Sequence, residues 1–194
     1  MTNALIVIDA QESFRARPLW QTLDNPDLIG NVQRLVDDAR AKGELVVWVL
    51  HNEPGSGGLF DAANGYVRIV DELKALADEP TIVKTSHNAF STTNLGQTLT
   101  VAGVRSVTVC GLRTEQCVET TARVASDFGY DVTYVTDATG TFPIPHWEAP
   151  ADQSVAELLA DPRTLSAADV KTRTEYALAG RFATVTTTGG VTGS

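Results

Sequence analysis

The stretch Val107-Thr108-Val109-Cys110-Gly111-Leu112-Arg113-Thr114-Glu115-Gln116-Cys117-Val118 changes character at its middle. A run rich in β-branched residues stops at a glycine, polar residues follow, and from Glu115 apolar positions recur at helical intervals as far as Gly129. A buried strand that feeds a helix through a short turn is half of a βαβ unit, the building block of parallel sheets. The rest of the chain repeats the pattern. Strand-like runs at residues 4–8, 45–50, 81–84, 106–110, 132–135 and 183–186 alternate with amphipathic stretches. After the cap candidates Asp24-Asn25-Pro26, residues Leu28, Val32, Leu35, Val36 and Ala39 fall on one helical face before Gly43. Further helices are expected at 70–77, 94–102, 115–129 and 167–179, the last opened by Ser166 with Asp169 three residues on, a capping-box spacing. The predicted architecture is α/β: a three-layer αβα sandwich around a doubly wound, mainly parallel six-stranded sheet of order 3-2-1-4-5-6.

Residues 1–186 of the 194 make one domain of ordinary size, and the small polar residues of 187–194 read as a flexible tail. Two segments interrupt the alternation: glycine-rich 52–66, and proline-rich 139–162, in which Pro143 and Pro145 flank Ile144. Both are expected to be loops that shape a site.

Charge narrows the function classes. A formal net charge of −9 argues against nucleic acid or an anionic membrane as partner, since phosphate binding needs an excess of Lys and Arg. No basic stretch precedes an apolar run at the N-terminus, and the longest apolar run, 45–50, is too short to span a bilayer, so a cytoplasmic protein acting on a small molecule is expected. Cys110 and Cys117 lie in one strand-to-helix segment, which suits neither a disulfide framework nor a four-ligand metal site. Pro54-Gly55-Ser56-Gly57-Gly58 follows a strand, but neither a Gly-x-Gly-x-x-Gly nor a Walker loop can be written there.

Three residues carry the chemistry. Asp9 ends the first strand, Lys84 ends the third, and Cys117 sits in the first turn of the helix after the fourth. Open α/β sheets bind ligands outside the carboxyl ends of their strands, which is where all three fall. A carboxylate can accept a thiol proton, an ammonium can stabilise developing negative charge, and a thiolate can attack a carbonyl. A helix's first turn is expected to favour the thiolate of Cys117. Each residue also has a plain reading: a turn aspartate, a surface lysine, a small buried cysteine. Cys110, inside the strand, takes the last of these.

Ile6-Val7-Ile8-Asp9, Val83-Lys84-Thr85-Ser86-His87-Asn88-Ala89-Phe90 and Cys110-Gly111-Leu112-Arg113-Thr114-Glu115-Gln116-Cys117-Val118 resemble the three catalytic segments of the isochorismatase-like cysteine hydrolases. The resemblance covers nearly the whole chain. It implies a catalytic set of Asp9, Lys84 and Cys117, a cis peptide between Leu112 and Arg113, an oxyanion hole formed by the backbone N–H groups of Arg113 and Cys117, and a homodimer or homotetramer. Members that hold a metal place Asp-x-His after the second strand, where this chain has Val49-Leu50-His51-Asn52-Glu53-Pro54, so neither metal nor other cofactor is expected. Gln11, Phe14, Trp20, Phe60, Phe90 and Arg113 are the pocket candidates, being next to these segments or in the loops expected to cover them. Three readings stay open: hydrolysis of a C–N bond in a small amide, ureido or carbamoyl compound through a thioester; vinyl-ether hydrolysis with Asp9 as general acid; and a non-catalytic binding subunit.

Overall fold

The computed structural model describes residues 2–193. Six strands, β1 (Thr2–Ile8), β2 (Leu45–His51), β3 (Thr81–Lys84), β4 (Val104–Leu112), β5 (Asp131–Gly140) and β6 (Thr184–Thr186), pair in parallel in the order β3-β2-β1-β4-β5-β6. The predicted order is the observed one. The winding reverses between β1 and β4, so the crevice at their carboxyl ends is where this fold places a ligand.

Alternating side chains of β1 feed two cores. Ala4, Ile6 and Ile8 pack with Leu95 and Leu99 of α3 (Leu95–Val101), Ala122 and Ala125 of α4 (Glu119–Asp127), and Leu178 of α6 (Ala167–Leu178). Leu5 and Val7 face the other way, onto the Leu28, Val32, Leu35, Val36 and Ala39 stripe of α2 (Leu28–Ala41). Side chains that alternate across a strand while both faces stay buried require helices on both sides of the sheet. A short helix, α1 (Glu12–Arg15), and a single 3-10 turn at Pro18–Thr22 lead from β1 into α2.

Three expectations are corrected. Residues 70–77 are not helical. Val70 donates its N–H to Ala10, Glu12 donates to Arg68, and Gln11 bridges Ile69 in antiparallel fashion, so the backbone here serves the β1 loop rather than a helix of its own. Val70 and Leu73 are buried under that constraint, which mimics helical spacing. The 139–162 segment is not a loop throughout: β5 runs into it, and α5 (Val155–Ala160) is closed by a full capping box in which Ser154 and Glu157 exchange hydrogen bonds. The tail expected to be flexible instead forms α7 (Thr188–Thr192), where the buried Thr188 donates its N–H and hydroxyl to Asp137 at 2.6 and 2.8 Å. Ser194, part of that expectation, lies outside the described residues. Among the described residues no helix is long and apolar enough to cross a membrane.

Candidate active site

β4 approaches β1 so closely that a side chain could not stand at the end of the pair. Gly111 lies opposite Ile8, has φ +115°, and a Cβ built on it would fall 1.8 Å from the Ile8 carbonyl oxygen. Glycine alone allows this approach. The next peptide, Leu112-Arg113, is cis, as the resemblance implies. The chain then makes a π-turn over Thr114–Val118 before α4 begins. The turn is tied down from two sides: Thr114 donates its hydroxyl to Thr139 at 2.9 Å, and Thr141 donates its own to Glu115 at 2.5 Å. Below it, the buried Glu119 carboxylate accepts hydrogen bonds from Arg123, Arg173 and Thr174, joining α4 to α6. Cys117 is thus held at a fixed place beside the end of β1.

At that end, Asp9 is the single non-glycine residue with positive φ among the described residues, at +53°, a conformation that aspartate tolerates better than most. Its N–H donates to Val49 and its carbonyl accepts from Gln11, both at 2.8 Å, which turns the chain sharply out of the sheet. Lys84 comes from the edge strand, two strands away. Its Nζ lies 2.9 Å from Asp9 Oδ2, 3.3 Å from Cys117 Sγ and 3.3 Å from His51 Nδ1, three acceptors for three N–H groups. Asp9 and Lys84 are wholly buried and Cys117 nearly so. The three sequence-predicted residues therefore meet around one ammonium group.

Electrostatics decide where the proton rests. Burial raises the proton affinity of Asp9, against the pull of Lys84. Burial also pushes the Cys117 thiol up to about 12; the Asp9 carboxylate adds to this rise, and Lys84 opposes it. Desolvation and the neighbouring carboxylate thus oppose the pull of the helix terminus and of Lys84 toward a thiolate. Asp9 and Cys117 are both shifted toward holding a proton, with Lys84 opposing each shift. Cys110 is also pushed up by burial, with no polar partner closer than the Ile6 carbonyl at 3.9 Å, and stays an inert core residue.

His51, which the sequence analysis left out of the catalytic set, is a further contact of Lys84. It ends β2 in register with Lys84, and that shared strand-end position is the signal for it. Burial and the ammonium both lower its basicity, so the ring is neutral, with Nδ1 as acceptor from Lys84 and Nε2 turned to Glu53 at 3.4 Å. Both ring nitrogens are engaged, and a metal ion on Nδ1 would sit against an ammonium. The residues after β2 do not fit a metal centre.

The pocket candidates divide. Gln11 is buried, with its amide donating to Ser13 and to the His51 carbonyl and accepting from the His51 N–H at 2.7 Å; it braces the end of β2 instead of facing a ligand. Phe14, Phe60 and Trp20 do gather near the site. Phe14 meets Phe60 edge-on at 4.9 Å, Phe60 meets His51 at 5.8 Å, and Trp20 lies 6.3 Å from Phe142, a residue absent from the sequence-derived set. Phe90 belongs elsewhere: its partners are Phe128 and Tyr130, at the far end of α4. Arg113 stacks over Phe142 at 5.4 Å, pairs with Glu115 at 2.9 Å, and lines a cavity of about 420 Å³ beside the Cys117 turn.

Comparison with known proteins agrees with this geometry. The Isochorismatase domain family matches residues 3–164. A streptothricin hydrolase of Streptomyces noursei is 36% identical over 146 residues, 74% of this chain and 56% of that protein. Nicotinamidase 3 of Arabidopsis thaliana is 33% identical over 154 residues, 72% of this chain and 73% of the relative. A cysteine hydrolase from Pseudomonas syringae pv. phaseolicola 1448A superposes with a TM-score of 0.84 at 25% identity, over 98% of this chain and 90% of the other. By its fold, its strand-end constellation and this match across most of its length, the chain belongs to the isochorismatase family of hydrolases.

Proposed function

We propose that this hydrolase cleaves a C–N bond of a small amide, ureido or carbamoyl compound through a thioester on Cys117, without a metal. The observation that carries the reading is the single ammonium of Lys84 lying 2.9 Å from Asp9 and 3.3 Å from Cys117. As sulfur attacks the carbonyl carbon, Asp9 takes the thiol proton, and Lys84 offsets the negative charge that the sulfur develops. The backbone N–H groups of Arg113 and Cys117 hold the tetrahedral oxyanion. Asp9 returns its proton to the departing nitrogen, the C–N bond breaks, and an S-acyl enzyme remains. Asp9 then takes a proton from water as its oxygen attacks the thioester, and the thiol re-forms as the acid leaves. Support for amide chemistry comes from the relatives, one of which is a nicotinamidase by name. Support for a metal-free site comes from His51, whose two nitrogens face Lys84 and Glu53. Exposed Trp147 and Tyr176 supply apolar surface consistent with a homodimer or homotetramer.

The test is Cys117→Ala, with rapid-quench mass spectrometry of the wild type on a panel of amides and ureides. Turnover should vanish in the variant while the circular dichroism spectrum is kept, and the wild type should carry an acyl mass on the Cys117 peptide. The raised proton affinity of Asp9 favours one second reading, vinyl-ether hydrolysis with Asp9 as general acid. That reading predicts turnover that survives Cys117→Ala and disappears in Asp9→Asn.

A further inference from the structure

The cavity beside the Cys117 turn is lined by both cationic and apolar side chains. Arg113 at the head of the turn, Gln116 within it and Arg17 from the loop after α1 line it together with the apolar Ile144, Val155 and Leu158. The cationic lining is not neutralised. Arg113 is paired with Glu115, and Glu115 is itself fixed by the Thr141 hydroxyl. Arg17, half-buried, forms no ion pair among the described residues. Glu157 of α5 is occupied in its capping box with Ser154. Two guanidiniums and one carboxylate leave one net positive charge on this lining. The Nε of Arg113 is buried without a hydrogen-bond partner.

We propose that this cavity is an anion subsite, and that the substrate is an amide bearing a carboxylate at the end remote from the scissile bond, held between Arg17 and Arg113 with an apolar body against Ile144 and Leu158. The assignment rests on the cysteine-hydrolase reading for which bond is cut, but not for what binds. Guanidinium groups present paired donors that match the two oxygens of a carboxylate, and a partly enclosed site strengthens such bonds. One net positive charge suits a monoanion better than a dianion. Like-charge crowding supports the same conclusion: Arg17 and burial both work against the charge on Arg113, and a bound anion relieves both. Gln116 adds an amide beside the guanidiniums, one residue before the nucleophile. Arg17 and Arg113 then act as specificity-determining residues.

The test uses hippurate and its uncharged methyl ester as probes, with binding to the Cys117→Ala protein measured by calorimetry. Turnover plays no part in this readout, so a failure of the thioester mechanism and a failure of the subsite give different results. Hippurate should bind about tenfold tighter than the ester, the equivalent of ~1.4 kcal/mol, which is the scale of one charge-assisted hydrogen bond. Arg17→Gln in the same background should reduce that preference to about twofold or less, and Arg17→Lys should retain part of it. Equal binding of the two probes, binding of neither, or a preference that survives Arg17→Gln would each overturn the assignment.

Discussion

Replacing Lys84 by methionine keeps the volume of the side chain and removes only its charge, so it isolates what the ammonium does for Asp9. In the wild type, burial raises the proton affinity of Asp9 and Lys84 is the first influence that opposes the rise. Without Lys84, Asp9 must either ionise alone in the core or keep its proton. Breaking one partner from a buried pair costs about 3–5 kcal/mol when the remaining charge stays. In a chain of this length each kcal/mol moves Tm by about 2–4 °C, so a loss of about 6–20 °C is expected where Asp9 is forced to ionise. The pH dependence has a definite sign. Asp9 binds its proton more tightly folded than unfolded, so its contribution is complete below the unfolded pKa of about 3.9 and is lost as pH rises through the folded value. Lys84→Met should therefore fall further below wild type at pH 8 than at pH 5, and adding Asp9→Asn should restore more than half of the deficit at pH 8. Urea titrations at both pH values, followed by the fluorescence of the buried Trp48, report the three proteins alike. A deficit independent of pH, or a double variant no more stable than Lys84→Met, would show that the loss is packing alone and refute the account of the site's electrostatics.

Asp9→Asn alone should bring the Cys117 pKa below its value of about 12, because the charge of the carboxylate helps to hold the thiol up. Iodoacetamide should then label Cys117 faster than in wild type at pH 8 even as turnover falls; slower labelling would contradict the proton sharing described above. Gly111→Ala should cost about 3 kcal/mol or more by urea midpoint, since its Cβ meets backbone at 1.8 Å in a left-handed conformation. Gly140→Ala, whose Cβ would first meet the movable side chains of Leu23, Leu28 and Leu112, should cost about 1–2 kcal/mol, and equal losses would sink the steric argument.

The elements that were legible are those whose pattern has one physical cause. Short runs rich in β-branched residues became strands because a sheet buried on both faces favours continuous apolar runs, and α2 followed from a stripe that a 3.6-residue period satisfies. Asp9, Lys84 and Cys117 could be picked out because strand ends in an open α/β sheet converge in space. The 70–77 segment deceived because Val70 and Leu73 are buried at helical spacing by a chain whose backbone bonds go to the β1 loop. The Ser154–Glu157 capping box was present in the letters but hidden among prolines, and α7 has a composition that looks loose until Asp137 caps it from a strand fifty residues earlier.

Sequence by itself determined which segments are strands, that helices cover both faces of the sheet, and which three residues stand at strand ends, because hydrophobic period and strand-end position are local properties of the chain. Tertiary structure decided what those residues are when they meet. That burial raises the proton affinity of Cys117 and of Asp9, that His51 is the third acceptor of Lys84, and that Arg17 and Arg113 line one cavity all depend on distances between residues tens of positions apart and on the exclusion of water. Charge–charge energies and desolvation vary with separation and burial, and neither quantity exists until the chain has folded.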